Sequence, residues 1–258
     1  MSTILGITIN AKNKKDAKAM IDQALSGSFQ KTLFTPNPEI IMSAGDNEKS
    51  RTILNSADIS IPDGVGVLIA SRILGEDIEE RVTGIDTGEY VLSECAKKGY
   101  KVFLLGAKLG IAEKAKTMLE DKYKGLTVCG VHHGYFDKSG IENDIVINQI
   151  NSSDATVLFV CFGSPIQEEW IYENKDRFPT VKLVAALGGC LDVWSGNIKR
   201  APRILRLLCL EWLWRMLNEP SRIKRIPLIF KFLLSVTKKK WQIAIKHRQK
   251  QQYKYQKK

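Results

Sequence analysis

Four short apolar runs decide the fold: KVFLLG at 101–106, TVCGV at 127–131, TVLFVC at 156–161 and KLVAA at 182–186. Each run has the length and the β-branched content of a strand, and a helical pattern of ordinary length separates it from the next run. Strands that alternate with helices pair in parallel. The segment therefore predicts a Rossmann-like half sheet.

The same alternation extends toward the N-terminus, where further strands are predicted at 3–9, 31–34 and 59–61. Helices are predicted at 13–25, 38–44, 47–55, 64–73, 85–98, 110–123, 139–151, 165–174 and 203–218. The predicted class is α/β: a Rossmann-like parallel sheet flanked by helices, followed by a basic amphipathic helical appendage. We place the α/β core at 1–195 and the appendage at 196–258.

Charge divides the chain at the same place. Residues 199–258 contain 18 Lys and Arg against two acids and so carry +16, which leaves −5 on residues 1–198 of a chain whose total is +11. All of the excess positive charge therefore lies at one end. An acidic partner of the appendage is expected, either nucleic acid or an anionic membrane surface.

Cysteine usage and hydropathy narrow the location and the cofactors. The five cysteines are widely spaced and form no Cys-x-x-Cys pair, which favours a reduced, cytoplasmic setting. The only His pair, His132-His133, is adjacent and does not favour metal ligation. The N-terminus does not resemble a signal peptide, and charges interrupt every long apolar stretch. The chain is expected to lie on a membrane if it meets one.

Glycine-bearing turns follow the predicted strands of the second half, at Gly106, Gly134-Tyr135, Gly163 and Gly188-Gly189. Ligands of open parallel sheets bind beyond the carboxyl ends of the strands, so these turns predict a cradle for a nucleotide diphosphate. The alternative for any one of them is a tight turn. Tyr135 is a candidate for stacking on a base, and Asp192 for contact with the ribose or base.

The other candidate residues stand in polar turns and loops, and those of the first two blocks directly follow predicted strands. The turn Pro62-Asp63-Gly64 exposes a carboxylate beside backbone amides, although an Asp here is ordinarily a helix cap. Thr35 and Asn37 can hydrogen-bond a sugar or simply form the turn around Pro36 and Pro38. Arg81 can pair with Glu79 and Glu80 at the surface. Gln167 opens a helix whose free amides can bind a donor phosphate.

These blocks, together with GSPIQEEW at 163–170 and KRAP at 199–202, resemble the WecG/TagA/CpsF family of bacterial glycosyltransferases from the N-terminus to about Arg225. The resemblance implies that Asp63 is the catalytic base and that Arg81 stabilises phosphate charge. It assigns Thr35, Asn37 and Gln167 to the sugar sites. The chain departs from the family pattern at Cys209, where glycine is common, and at Ile166, where lysine is common.

The family also implies an acceptor sugar carried on a polyprenyl diphosphate, whose lipid tail stays in the membrane. Appendage arginines then become candidates to reach a diphosphate: Arg203, Arg206, Arg215, Arg222 and Arg225. The Leu-, Trp- and Phe-rich appendage fits lipid better than a phosphate backbone, so an anionic membrane surface is predicted and nucleic acid is not. The bland alternative is a helix packed on the core.

The expected function is metal-independent, inverting transfer of N-acetylmannosamine from UDP to lipid-linked N-acetylglucosamine, in the teichoic-acid branch of the family. No cofactor is predicted, since no Asp-x-Asp motif occurs at a strand end. The enzyme is expected to be peripheral on the inner face of the cell membrane, and a homo-oligomer is possible. The alternatives are a different UDP-sugar, such as UDP-N-acetylmannosaminuronic acid, or a non-catalytic membrane or nucleotide-binding module.

Overall fold

The computed structural model describes residues 1–45, 47–218 and 226–256, of which 215, 218, 226, 247 and 250–256 are described by their backbone only. The strands are β1 (Ser2–Ile4), β2 (Ile7–Ile9), β3 (Lys31–Phe34), β4 (Ile59–Ser60), β5 (Lys101–Gly106), β6 (Thr127–His132), β7 (Val157–Cys161) and β8 (Leu183–Ala186). The helices are α1 (Lys14–Ser26), α2 (Pro38–Ala44), α3 (Glu48–Asn55), α4 (Val65–Leu74), α5 (Gly84–Lys98), α6 (Ile111–Lys122), α7 (Gly140–Ser152), α8 (Ile166–Asn174), α9 (Cys190–Trp194), α10 (Arg203–Leu207), α11 (Glu211–Asn218) and α12 (Ile226–Gln256).

Six strands form one parallel sheet in the order β4-β3-β8-β7-β5-β6, which confirms the predicted α/β class. Strands β7 and β8 are buried along their whole length, as continuous apolar runs in a parallel sheet require. The chain leaves β5 toward β6 on one side and returns to β7 on the other. Ligand clefts of open sheets lie at such a reversal, beyond the carboxyl ends of the strands.

The prediction of one strand over 3–9 is wrong. The segment forms an antiparallel hairpin, β1 and β2, outside the main sheet. Its two turn residues, Leu5 and Gly6, have φ of 50° and 89°. Two-residue hairpin turns of this kind need positive φ at both positions, and leucine at the first position hides the turn from a sequence pattern.

Most helices begin and end within a residue or two of the predicted bounds, because capping residues mark them. Asn13, Asn37, Asn47 and Thr83 each accept a hydrogen bond from a backbone N–H of the helix that follows. Two helical predictions need correction. The short α9 was not predicted, and the helix predicted over 203–218 is broken into α10 and α11, with Cys209 in the left-handed region at φ 59° between them.

Helix α12 packs one face on the core. It contacts α2 and α4, and the side chains of Phe232 and Val236 are fully buried in the apolar layer on that side of the sheet. The opposite face exposes Phe230, Leu234 and Trp241. The alternative to membrane contact, a helix packed on the core, therefore holds for one face of α12. The division into a core and an appendage at residues 195 and 196 stays a prediction.

Candidate active site

The carboxyl ends of β3 and β4 bring Thr35 and Asp63 together. The backbone N–H of Asp63 donates to the carbonyl of Pro36 over 3.2 Å, so the loops after the two strands run side by side. Thr35 is buried and its Oγ1 donates to the carbonyl of Ala186 over 3.4 Å, which links these loops to the end of β8. The two side chains therefore lie at the sheet edge where ligands of parallel sheets bind.

Asp63 is not the cap of the helix that follows. The N-cap position of α4 is Gly64, with φ of 88°, and α4 has no side-chain cap. Glycine is favoured here because φ lies in the positive region that residues with a Cβ rarely adopt. Asp63 therefore lies one residue before the N-cap position, in the turn that joins β4 to α4. Asp63 is half-buried in the loop.

Asn37 does cap a helix. Its Oδ1 accepts a hydrogen bond from the backbone N–H of Ile40 over 2.9 Å at the start of α2. The structural alternative to sugar binding therefore holds for the oxygen of this side chain. Binding of a sugar by its amide group stays a prediction.

Arg81 lies beside the Asp63 loop and turns toward the appendage. The backbone N–H of Val82 donates to the carbonyl of Pro62 over 3.0 Å, which places Arg81 next to the Pro62–Gly64 turn. Its guanidinium is mostly buried, donates to the carbonyl of Arg206 over 3.4 Å and lies 3.8 Å from a carboxylate oxygen of Glu211. Among the described residues, Arg81 is thus held by the appendage and not by its neighbouring glutamates.

Glu211 and Arg200 complete a buried charged cluster that sequence reasoning missed. The Nε of Arg200 lies 4.0 Å from Glu211, and its terminal nitrogens contact Asp86 and Glu89 on α5. Burial alone would raise the pKa of Asp86, but hydrogen bonds from Arg200 and Thr83 outweigh burial and hold this pKa below its ordinary value. The KRAP block at 199–202 was a signal for Arg200, whereas Glu211 has no signal in a single sequence.

Gln167 links the loop after β7 to the loop after β8. It is 1% exposed, and its Oε1 accepts from the backbone N–H of Gly163 over 3.2 Å and of Gly188 over 2.9 Å. Its amide group donates to Glu168 over 2.8 Å, and burial raises the pKa of that carboxyl. The structure therefore gives Gln167 a part in shaping the loops after β7 and β8. Direct contact with substrate stays a prediction.

The glycine turns leave open space at the strand ends. A Cβ added to Gly163, Gly188 or Gly189 would meet no described atom within 4 Å. Gly106 differs, because a Cβ there would lie 2.4 Å from the carbonyl oxygen of Cys161. Glycine is thus required at Gly106 for close approach of β5 and β7, and the two turns at Gly163 and Gly188-Gly189 border open space.

The remaining candidate residues lie after β6, on α9 and on the appendage. Tyr135 follows β6 and is exposed, and Asp192 lies on α9, where its Oδ1 accepts from Asn197 over 3.4 Å. On the appendage, Arg203 is exposed, while the Nε of Arg206 is buried without a partner among the described residues. Arg215 lies on α11, described by its backbone only, and Arg222 and Arg225 lie outside the described residues.

In residues 1–45, 47–218 and 226–256, no three His, Cys, Asp or Glu side chains are grouped so as to hold a metal ion. Across the same ranges, no helix has the length and hydropathy to cross a bilayer. The need for a metal, or its absence, stays a prediction.

A carboxylate and open glycine turns follow strands of one parallel sheet, with a mostly buried arginine beside them, and this is the edge at which open α/β enzymes bind their ligands. The family model for the WecG/TagA/CpsF glycosyltransferases matches residues 2–246, and the chain belongs to this family. It is therefore a glycosyltransferase.

Three relatives are named N-acetylglucosaminyldiphosphoundecaprenol N-acetyl-beta-D-mannosaminyltransferase. The protein of Bacillus spizizenii is 35% identical over 80% of this chain and 78% of its own length. That of Bacillus subtilis is 33% identical over 86% and 83%, and that of Staphylococcus aureus is 35% identical over 82% and 81%.

Proposed function

We propose that this enzyme transfers N-acetylmannosamine from UDP-N-acetylmannosamine to N-acetylglucosamine carried on undecaprenyl diphosphate, with inversion at the anomeric carbon, as an early step in making the linkage unit of wall teichoic acid. Support for the acceptor and the transferred sugar comes from the names of relatives that match about four fifths of the chain. The observation that carries the chemistry is the backbone bond from Val82 to Pro62, which sets Arg81 beside Asp63 at the end of β4.

In the proposed reaction, the acceptor hydroxyl oxygen forms a bond to the anomeric carbon while the bond from that carbon to the diphosphate oxygen breaks. The electron pair of the broken bond leaves with UDP, and the hydroxyl proton passes to the carboxylate of Asp63. A sugar hydroxyl is a weak nucleophile, and a positioned base typically contributes about 10²–10⁴ to the rate of such a step. Asp63 suits this part because it is a half-buried carboxylate in the loop after β4, beside the loop that carries Thr35.

Arg81 is proposed to stabilise the charge that develops on the departing UDP. Its guanidinium is mostly buried, and its contacts with described residues are a 3.4 Å hydrogen bond and a 3.8 Å ion pair, both long. A buried cation with donors to spare can form strong, charge-assisted bonds to a phosphate oxygen. The appendage arginines Arg203 and Arg206 are proposed to join it.

The donor is proposed to lie along the turns after β5, β7 and β8. Open space borders Gly163, Gly188 and Gly189, and backbone amides at such turns favour phosphate. Thr35 and Asn37 are proposed to orient the sugars.

The appendage is proposed to hold the enzyme on the inner face of the membrane. Nine of the nineteen exposed large apolar side chains described in this chain lie between Ile204 and Ile243, in the segment that carries the positive charge. Apolar side chains that enter the headgroup region, together with lysines that meet anionic lipid, are the two terms that bind peripheral proteins to bilayers. Flotation with phosphatidylglycerol vesicles should retain the enzyme, and Phe230→Ala should weaken retention.

A transfer assay tests the reaction. The purified full chain is incubated with undecaprenyl- or shorter prenyl-diphosphate-linked N-acetylglucosamine and with UDP-N-acetylmannosamine, UDP-N-acetylmannosaminuronic acid or UDP-N-acetylglucosamine, with and without EDTA. The proposal expects product from the first donor only, with EDTA having no effect. Product from the uronic acid donor alone would place the enzyme elsewhere in the family, and loss of product with EDTA would overturn metal independence.

A further inference from the structure

The charged cluster formed by Arg81, Arg200, Glu211, Asp86 and Glu89 joins the appendage to the catalytic edge of the sheet. Its carboxylate at Glu211, the first residue of α11, lies between two guanidinium groups, 3.8 Å from Arg81 and 4.0 Å from Arg200. Arg200 is anchored in turn on α5 through Asp86 and Glu89. Charges therefore alternate along a path from α5, through the appendage, to Arg81.

Burial makes this arrangement consequential. The side chains of Arg81, Arg200 and Glu211 are 14%, 18% and 8% exposed. Removing one charge from such a group leaves its partner uncompensated, so each member constrains the others. The Oε1 of Glu211 and the Nε atoms of Arg200 and Arg206 have no hydrogen bond among the described residues, although they are buried.

Resting on the proposed function of Arg81, we propose that Glu211 is a positioning residue that holds the Arg81 guanidinium in place for the diphosphate of the departing UDP. An arginine side chain has many rotamers, and the rate of an enzyme falls when a catalytic charge is misplaced by about an ångström. Glu211 restricts Arg81 only while α11 is docked, where Trp214 donates to the carbonyl of Lys199 over 3.2 Å and Arg81 to that of Arg206.

A double-mutant cycle on turnover tests this. Glu211→Gln keeps the shape of the side chain and removes its charge, and it is compared in the wild-type and Arg81→Ala backgrounds. Contacting charged residues couple by roughly 2- to 150-fold, so Glu211→Gln should lower kcat by about that range in the wild-type background and leave kcat nearly unchanged when Arg81 is already gone. Glu173→Gln, a partly exposed carboxylate paired with Lys49 away from the cluster, is the matched control.

Rescue by free guanidinium provides the second measurement. Millimolar guanidinium should restore part of the activity of Arg81→Ala, because the small cation can occupy the place that Glu211 faces. Rescue should weaken in the double variant. Far-UV circular dichroism and the urea midpoint establish that each variant is folded at the assay temperature. If Glu211→Gln is unfolded, Glu211→Asp takes its place, since it keeps the charge but draws the carboxylate back by one methylene, and it should lower kcat only where Arg81 is present.

The outcomes separate this inference from the proposed function. An equal loss of kcat on Glu211→Gln in both backgrounds, or equal guanidinium rescue with and without the Glu211 carboxylate, overturns the positioning role and leaves sugar transfer by Asp63 untouched. Full activity of Arg81→Ala overturns both the positioning role of Glu211 and the catalytic role of Arg81. Coupled losses with Glu211-dependent rescue support the inference.

Discussion

Replacing Phe232 by alanine tests whether α12 belongs to the folded core. The Phe232 side chain is fully buried against the layer formed by α2 and α4, whereas Phe230, two residues earlier on the same helix, is 65% exposed. Phe230→Ala removes the same atoms and makes the same change in helix propensity. The difference between the two variants therefore reports only their surroundings.

The expected magnitudes follow from burial. Truncating a buried phenylalanine to alanine costs about 3–5 kcal/mol, from lost transfer free energy and the cavity left behind. An exposed substitution usually changes stability by no more than about 0.5 kcal/mol. Domains of ordinary stability unfold with a free energy of about 5–15 kcal/mol, so Phe232→Ala removes a large share of it.

Urea unfolding followed by circular dichroism at 222 nm gives both free energies of unfolding. The account expects Phe232→Ala to lower the midpoint strongly and Phe230→Ala to leave it nearly unchanged, with the reverse order in vesicle flotation. Equal midpoints for the two variants, or a cost of Phe232→Ala below about 1 kcal/mol, would refute the docking of α12 on the core.

Three further predictions concern the core and the strand ends. Gly106→Ala should cost about 1–3 kcal/mol of unfolding free energy, because φ is 143° and the new Cβ would meet the carbonyl of Cys161. Gly189→Ala is the control, since there is open space around Gly189, and it should leave the urea midpoint nearly unchanged. Equal midpoints for the two variants would contradict this prediction. Burial opposes ionisation of Asp58, but hydrogen bonds from Lys31 and the Thr32 backbone and hydroxyl outweigh it and lower the folded-state pKa below 3.8. The stabilisation by Asp58 is therefore present above the unfolded-state pKa and lost as pH falls through the folded-state pKa. The difference in unfolding free energy between the wild type and Asp58→Asn should accordingly shrink in acid. A difference that does not change with pH would refute this prediction. Burial raises the pKa of Cys161 to about 12, which leaves a thiolate fraction of roughly 10⁻⁴ at pH 8. After treatment with iodoacetamide, peptide mass spectrometry should find this thiol unmodified in the native enzyme and modified in urea. Rapid labelling of the native enzyme would contradict the burial of Cys161.

The sequence predicts the sheet well, because its strands are continuous apolar runs with turn residues after them. Runs such as TVLFVC at 156–161 can only be buried on both faces, and the structure confirms a fully buried strand at Val157–Cys161. The hairpin at the N-terminus could not be predicted, since Leu5 adopts a positive φ that leucine ordinarily avoids. The break after α10 is similar, because Cys209 adopts a left-handed conformation without a glycine to announce it.

The candidate active site is likewise predictable from the sequence only in part. Asp63 stands in a short polar block after β4 and Arg81 in one between α4 and α5, so their residue types and positions are visible in the sequence. What no pattern shows is which distant charge each one meets: Glu211 lies 130 residues beyond Arg81 and reaches it only through the path of α11. Pairings between remote segments are properties of tertiary packing, and a single sequence carries no record of them.

The measurement that tests the central claim most directly is the turnover and UDP affinity of Asp63→Asn. The substitution keeps the size of the side chain and removes the base, so sugar transfer to the lipid-diphosphate acceptor should fall by about 10²–10⁴, while UDP binding measured by titration calorimetry stays close to that of the wild type. Transfer at the wild-type rate by a variant that binds UDP normally would contradict the account.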